Sequence, residues 1–367
     1  MSPKVLIFTK RVLPRSNTFV AAQGNNLPSY QPVYIGLRTD SSGADLIAGK
    51  PTCVQANIEP FPLLSRLLLD GCQILTSKWQ HALAAQQADV IHAHFGKGGY
   101  YCAPIAKKLD IPLLTTFHGS DITQKDKFSY NRKHRDIVFS QSAKILAVSQ
   151  FIKHKLIQRG CPEHKIIQHY VGIDNQFFAP AAEKSAHPTI LFVGRLIEQK
   201  GCQYLLQAMQ RINKTLPDAQ LIIAGYGPYQ EKLQTMAKAL HNVTFVGAQN
   251  REQVKQLMAN AWVTCLPSIV MARGNEEGMP TVCVESQAVG TPVVAFATGG
   301  VSEGVVNEKT GLLSEQKNVA QLTDNLLAVL QSSALRQQLS QAGIAHVDEH
   351  FNIRRQCQKL EQIYRTL

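Results

Sequence analysis

Short apolar runs alternate with stretches of helical periodicity along almost the whole chain. Residues 4–9 (KVLIFT) form a compact run with β-branched positions, the pattern of a strand covered on both faces. Similar runs predict strands at 31–36, 89–94, 111–117, 143–148 and 166–170. Between them, helical spacing is expected at 19–23, across 61–86 with a break at Gly71, at 100–109, and at 150–159 behind a Ser149 cap. Residues 179–188 (APAAEKSAHP) are small, polar and bounded by prolines, the composition of a linker. The alternation then restarts. Strands are expected at 189–193, 219–224, 243–246, 263–266, 292–296 and 311–313. Helices are expected at 201–214, 230–240, 251–259, from Pro280 to Val289, and at 318–331 and 333–346.

This order predicts an α/β fold: parallel sheets with helices on both faces, in two tandem domains, 1–178 and 179–350, and a final segment 351–367. In such sheets ligands lie outside the carboxyl ends of the strands. His94, His118 and Asp174 fall at strand ends and are therefore expected to face a cleft.

Composition changes this picture little. A chain of 367 residues with 44% hydrophobic and 17% charged positions suits two soluble domains. No apolar run approaches the ~18 residues of a membrane span. The run 5–8 is too short for a signal peptide and fits a first strand. Eight scattered cysteines have no metal-ligand spacing, and a reduced cytosolic compartment is the simplest expectation.

Charge is more informative. The net +12 is concentrated in residues 1–180, with 21 Lys and Arg against 11 Asp and Glu; residues 181–367 hold 17 against 15. The densest cluster joins Lys125 and Lys127 to Arg132, Lys133 and Arg135. It reads as a solvated helix face, or as a contact for an anionic membrane surface or anionic substrate. Nucleic acid is not expected, since no stacking aromatics accompany the charges.

The chemistry-bearing stretch is RGNEEGMPTVCVESQAVG, 273–290. Glu277 and Glu285 stand eight positions apart, separated by Gly278, Met279, Pro280 and Thr281, a loop that turns into a helix. Proline suits the first helical position, and the free N–H groups of a helix start suit an anion. Arg195 follows a predicted strand, and Lys200 precedes Gly201, which opens a helix. These are two surface cations at a turn, or a fork and a point charge for a pyrophosphate. With the two carboxylates as hydroxyl acceptors on the same sheet edge, they describe a site for a nucleotide diphosphate joined to a polyol. Gly299 and Gly300, before Glu303, form a plain turn or allow close backbone approach to a ligand. His118, beside Gly119 and near Asp121, is a structural histidine or the facing member of that site.

Taken together, FVGRLIEQKG (192–201), IIAGYGP (222–228), EEGMPTVCVESQAVGTPVVA (276–295), GGVSE (299–303) and TGLL (310–313) resemble family 4 of the retaining glycosyltransferases, the group 1 glycosyl transferases. TTFHGSD (115–121), AVSQFIKHKL (147–156) and VGID (171–174) match as well, so the resemblance covers essentially the whole chain. It implies two facing Rossmann-like domains, the GT-B fold, with 351–367 a helix crossing back onto the first domain. It implies that Arg195 and Lys200 bind the donor diphosphate and that Glu277 holds donor-sugar hydroxyls. The amides of Gly278, Met279 and Thr281 would help bind sugar and phosphate, and Glu285 would bind the ribose. His118 would act near the reacting carbon. The base would be read by backbone around 245–247. Sugar transfer would proceed with retention, without a metal and without a cofactor beyond the nucleotide-diphosphate sugar itself. The loop KRVLPRSNTFVAAQ (10–23) is closest to the Ser-x-Thr-Phe variant of relatives that build bacterial exopolysaccharide or lipopolysaccharide, with Asn17 where that variant is usually acidic. Arg15, Ser16, Asn17 and Thr18 would then face the acceptor, a glycan or lipid-linked glycan. The expected setting is cytoplasmic, peripheral on the inner face of the plasma membrane. The competing readings are a sugar-nucleotide epimerase, another enzyme of this fold, or a non-catalytic sugar-nucleotide-binding protein.

Overall fold

The computed structural model describes residues 2–12, 17–127, 130–180 and 184–367. The chain divides into two compact units. The first is Met1–Gly172 together with Ile353–Leu367, and the second is Ile173–Asn352.

The first unit holds β1 (Lys4–Phe8), β2 (Arg11–Val12), β3 (Gln31–Gly36), β4 (Arg38–Thr39), β5 (Thr52–Val54), β6 (Val90–His94), β7 (Leu113–Phe117), β8 (Lys144–Ala147) and β9 (Ile166–Gln168). Seven of these form one parallel sheet in the order β5-β3-β1-β6-β7-β8-β9, while β2 and β4 pair separately. The central strands β6 and β7 are buried at every position, and their apolar runs are interrupted only by His92 and His94 in β6 and by Thr115 and Thr116 in β7. The second unit holds β10 (Thr189–Val193), β11 (Gln220–Ala224), β12 (Val243–Gly247), β13 (Val263–Leu266), β14 (Val293–Phe296) and β15 (Gly311–Ser314). They form a parallel sheet in the order β12-β11-β10-β13-β14-β15. In each sheet the strand order reverses beside the first strand, at β1/β6 and at β10/β13. Those are the switch points where such sheets open a crevice.

Several elements differ from expectation. The helix expected from Tyr100 begins at Gly96 and runs to Leu109. Its glycines let it lie against the sheet, since a Cβ on Gly99 would stand 2.6 Å from Thr115 Oγ1. The break expected at Gly71 falls at Gln73, which takes the left-handed conformation after the helix Pro62–Cys72. Pro280 is the residue before the helix Thr281–Ala288, not its first member. The helix 333–346 extends to Phe351. The helix Arg132–Gln141, capped by Asn131 and His134, had no apolar stripe strong enough to announce it.

The expected linker 179–188 is corrected too. Lys184 Nζ reaches Thr291 Oγ1, and Trp262 Nε1 donates to Ser185 O at 2.8 Å, so residues 184 and 185 are fastened to the second unit. The division falls earlier, between Gly172 and Ile173. The Asp174 carboxylate accepts from the Gln176 and Phe177 amides and lies 3.6 Å from Arg251.

The last helix, Ile353–Arg365, packs on the first unit. Leu360 and Tyr364 enter its core beside Val5, Ile7 and Tyr34. Glu361 is buried, and its carboxylate accepts from the Ser29 hydroxyl and from the Ser29 and Tyr30 amides at 2.6 and 2.8 Å.

Candidate functional site

In the second unit, β10 delivers Gly194 and an exposed Arg195 at the switch point. A short turn, Glu198–Lys200, follows and ends at Gly201. Gly201 has φ +69°, and a Cβ there would stand 1.7 Å from Pro267 O, so only glycine fits between β10 and the loop after β13.

This turn directs Lys200 onto Glu277. Lys200 Nζ lies 2.7 Å from Glu277 Oε1, and Ser268 Oγ donates to the same oxygen at 2.9 Å. The Glu277 carbonyl accepts from Gly300 N at 2.9 Å. Thr298 Oγ1 holds the Ser268 carbonyl at 3.1 Å. Burial alone would raise the Glu277 carboxyl. Lys200, Ser268 and Arg195 outweigh it and hold the group below its ordinary value, so it is a carboxylate. Lys200 is therefore not a free cation. It is half of a nearly buried ion pair, with side chains 18% and 11% exposed.

Gly278, Met279 and Pro280 are buried, and Thr281 begins the helix. Among the described residues, no group accepts from the Gly278 or Met279 amide. These amides and the helix start offer donors to an anion. Glu285 lies about one turn further on, and its carboxylate makes no hydrogen bond among the described residues. Burial pushes its carboxyl up to about 7, with Arg251 opposing. The fully buried Cys283 thiol senses Glu277, Lys200 and Glu285, which places all three around it. Arg195, Lys200, Glu277 and Glu285 are thus gathered at one switch point. On β12 the Gly247 carbonyl is taken by Gly225 N and the Val246 carbonyl by Gln249.

In the first unit, His118 follows β7 and belongs to a histidine cluster. His94 Nδ1 lies 3.1 Å from His118 Nε2, and the two rings stack at 5.3 Å. His92, two positions before His94 on the same strand face, lies against it with ring centroids 4.4 Å apart and the planes tilted by 30°. His92 is itself held by Thr116 Oγ1 and Tyr364 O–H, both at 2.7 Å. Burial depresses all three imidazoles, His94 to about 3, so they are neutral. His94 Nε2 is buried without a partner among the described residues. The tautomer that leaves no buried N–H unpaired has His94 Nδ1–H donating to His118 Nε2. His118 then carries its proton on Nδ1.

Asp121 ties the loops together, accepting from the Gly96, His118 and Gly119 amides. Phe95, with φ +67°, turns the chain sharply beneath the His118 ring at 4.6 Å. Phe19 abuts that ring at 4.9 Å, so the segment entered by Asn17 and Thr18 lies beside His118. Arg15 and Ser16 lie outside the described residues.

Ser268, Arg251, Asp121 and His92 were not singled out as site residues by sequence reasoning. Only the His-x-His spacing, which puts His92 and His94 on one strand face, carried a readable signal.

Two parallel doubly wound units, the second with an acid and a lysine paired at its switch point, define the GT-B class of α/β proteins. Solved structures agree: the Anabaena protein Alr3699/HepE in complex with UDP and glucose superposes with a TM-score of 0.80 over 100% of both chains, at 16% identity. A profile described as glycosyltransferase family 4 matches residues 31–177, and one described as glycosyl transferases group 1 matches residues 174–346. The amylovoran biosynthesis glycosyltransferase AmsK of Erwinia amylovora is 30% identical over 76% of this chain and 70% of its own. The putative colanic acid biosynthesis glycosyltransferase WcaL of Escherichia coli is 30% identical over 67% of this chain, which spans 62% of that relative's length. The chain belongs to family 4 of the glycosyltransferases, the group 1 glycosyl transferases.

Proposed function

We propose that this protein transfers a glycosyl group, with retention of configuration, from a nucleotide-diphosphate sugar to a glycan or lipid-linked glycan acceptor in cell-surface polysaccharide biosynthesis. The observation that carries the proposal is the Lys200–Glu277–Ser268 constellation at the second switch point, with Arg195 exposed beside it. The names of the Erwinia and Escherichia relatives support the pathway, and the UDP and glucose in the Anabaena structure support the donor class.

In this reading Arg195 and Lys200 take the diphosphate, helped by the Gly278, Met279 and Thr281 amides. Glu277 accepts from donor-sugar hydroxyls, and Glu285 from the ribose. His118 presents its Nδ1–H to the donor sugar. The anomeric C–O bond breaks with its electrons passing to the departing phosphate. The acceptor hydroxyl attacks the same face, and its proton moves to that phosphate oxygen. Cations fixed at the leaving group stabilise the charge developing there, and no metal is required of this arrangement. Asn17 and Thr18, beside His118, face the acceptor. The setting is the cytoplasmic face of the plasma membrane.

The test is product analysis with labelled donors and the Glu277→Ala variant. Transfer should fall by at least ~10³-fold while the fold persists, as for loss of a group that orients the reacting sugar. Unchanged turnover would overturn the assignment. Altered free sugar without an acceptor would point to an epimerase.

A further inference from the structure

The helix Pro62–Cys72 is inverted. Its buried positions include Ser65 and Leu69, whereas Leu63, Leu64 and Leu67 are 71%, 55% and 63% exposed. At 100° per residue, Leu63, Leu64, Leu67 and Gly71 form one solvent-facing stripe, opposite Ser65 and Leu69. Phe61 before the helix is 71% exposed, and Ile74 after it 51%. A surface helix of a soluble protein normally turns its leucines inward.

Charge beside the stripe is one-sided. Lys10, at the end of β1, is depressed by partial burial and then by Lys97, with Arg66 and Arg38 adding to it. Only Asp70 opposes, itself held 2.7 Å from Lys97. Four cations thus stand around one partly exposed carboxylate, Asp70; Arg66 and Asp70 both belong to the leucine helix, and Glu59, which accepts from Ser65, is buried on its inner side. Lys10 and Lys97 also mark the carboxyl ends of β1 and β6, the first unit's switch point.

We propose that the 61–74 segment is a membrane-docking element that seats its leucine face in an anionic lipid surface, bringing the first switch point to the level of a lipid-linked acceptor. An 11-residue helix is about half the ~20 residues needed to span a bilayer, so it lies in the interface plane. A second copy fits worse, because a symmetric interface on this face would set one basic cluster against the other. The Lys125–Arg135 cluster directs part of its charge onto its own carboxylates. Arg135 is buried on Asp126, Arg159 lies 3.6 Å from the same carboxylate, and Arg132 faces Asp136.

The benefit to catalysis rests on the lipid-linked acceptor reading above, but the docking can be tested alone. The full chain is cosedimented with vesicles of equal parts phosphatidylcholine and phosphatidylglycerol, and with phosphatidylcholine alone. Wild type should bind the anionic vesicles in a salt-sensitive manner, and the L63D/L67D variant about tenfold or more weakly. Thermal stabilisation by uridine diphosphate, which reports the second unit, should be equal in both. Undiminished vesicle binding by the variant would overturn the proposal, as would equal binding to neutral vesicles or none by wild type. So would a dimer that the variant converts to monomer with no change on vesicles. Loss of nucleotide binding in wild type would instead strike the glycosyltransferase reading and leave the docking intact.

Discussion

Lys200 and Glu277, 77 positions apart in sequence, meet at 2.7 Å and form the ion pair of the second switch point. Each is nearly buried, so neither is tolerated well without the other. Lys200→Ala and Glu277→Ala should each destabilise the protein by about 1–3 kcal/mol. The double variant should cost clearly less than the sum, because it removes both charges. Urea unfolding of the four proteins measures the coupling, and strictly additive losses would contradict it.

Glu285 gives a pH dependence of unusual sign for a carboxylate. Its folded value is raised from 4.5 to about 7, so the native state holds a proton that the unfolded chain has released. Its contribution to stability is full below 4.5 and is lost as pH rises through 7. Allowing for partial exposure, the loss is on the order of 2 kcal/mol. Glu285→Gln should flatten the stability profile across that window. A profile with the same slope in both proteins would disprove the shift.

The histidine cluster titrates in the opposite sense. His94 is lowered from 6.5 to about 3, and His92 and His118 are lowered as well. Their stability is present above pH 6.5 and drains away as pH falls toward 3. Nitrogen-15 NMR of the imidazoles should show His92, His94 and His118 all titrating below the unperturbed ~6.5. A midpoint at or above that value for His118 would refute its burial as the controlling influence.

Two glycines separate backbone strain from crowding. Gly49 and Gly299 both have positive φ, +74° and +55°. A Cβ at Gly49 meets nothing within 4 Å, whereas one at Gly299 would stand 2.2 Å from the Glu277 carbonyl. Gly49→Ala should cost about 1 kcal/mol and leave donor binding alone. Gly299→Ala should displace Glu277 and weaken donor binding at least about tenfold by calorimetry. Equal donor affinities would mean that the Glu277 backbone does not depend on this packing.

Glu361 should be the costliest single position in the last helix. Its buried carboxylate satisfies two amides and a hydroxyl at residues 29–30. Glu361→Ala should lower stability by about 2–4 kcal/mol in thermal or urea unfolding, since buried donors are left unpaired. A change below half a kcal/mol would rule out that role.

Much of the fold was legible because buried parallel strands leave apolar runs in the chain. KVLIF, LLTTF and TILFV announced β1, β7 and β10 with no ambiguity of period. The helix Arg132–Gln141 was not, because its polar face outweighs the few residues it buries. APAAEKSAHP misled because composition reports solvent affinity and not docking. Lys184 and Ser185 are polar and nonetheless fastened down. Of the site, Arg195, Lys200, Glu277 and Glu285 were readable from their places after strands and at helix starts. The contact that defines it was not. An ion pair across 77 positions leaves no local pattern, and Ser268, which completes it, is one serine among many.

The placement of Ile353–Arg365 bears on the order in which the protein is made. This helix completes the core of the unit that begins at the first strand, yet it is translated only after the whole of Ile173–Asn352. On the ribosome the second unit can close as soon as it emerges. The first must wait with the berth for Leu360 and Tyr364 open. Nascent chains halted at Asn352 should therefore contain one protease-resistant unit and one still exposed to chaperones.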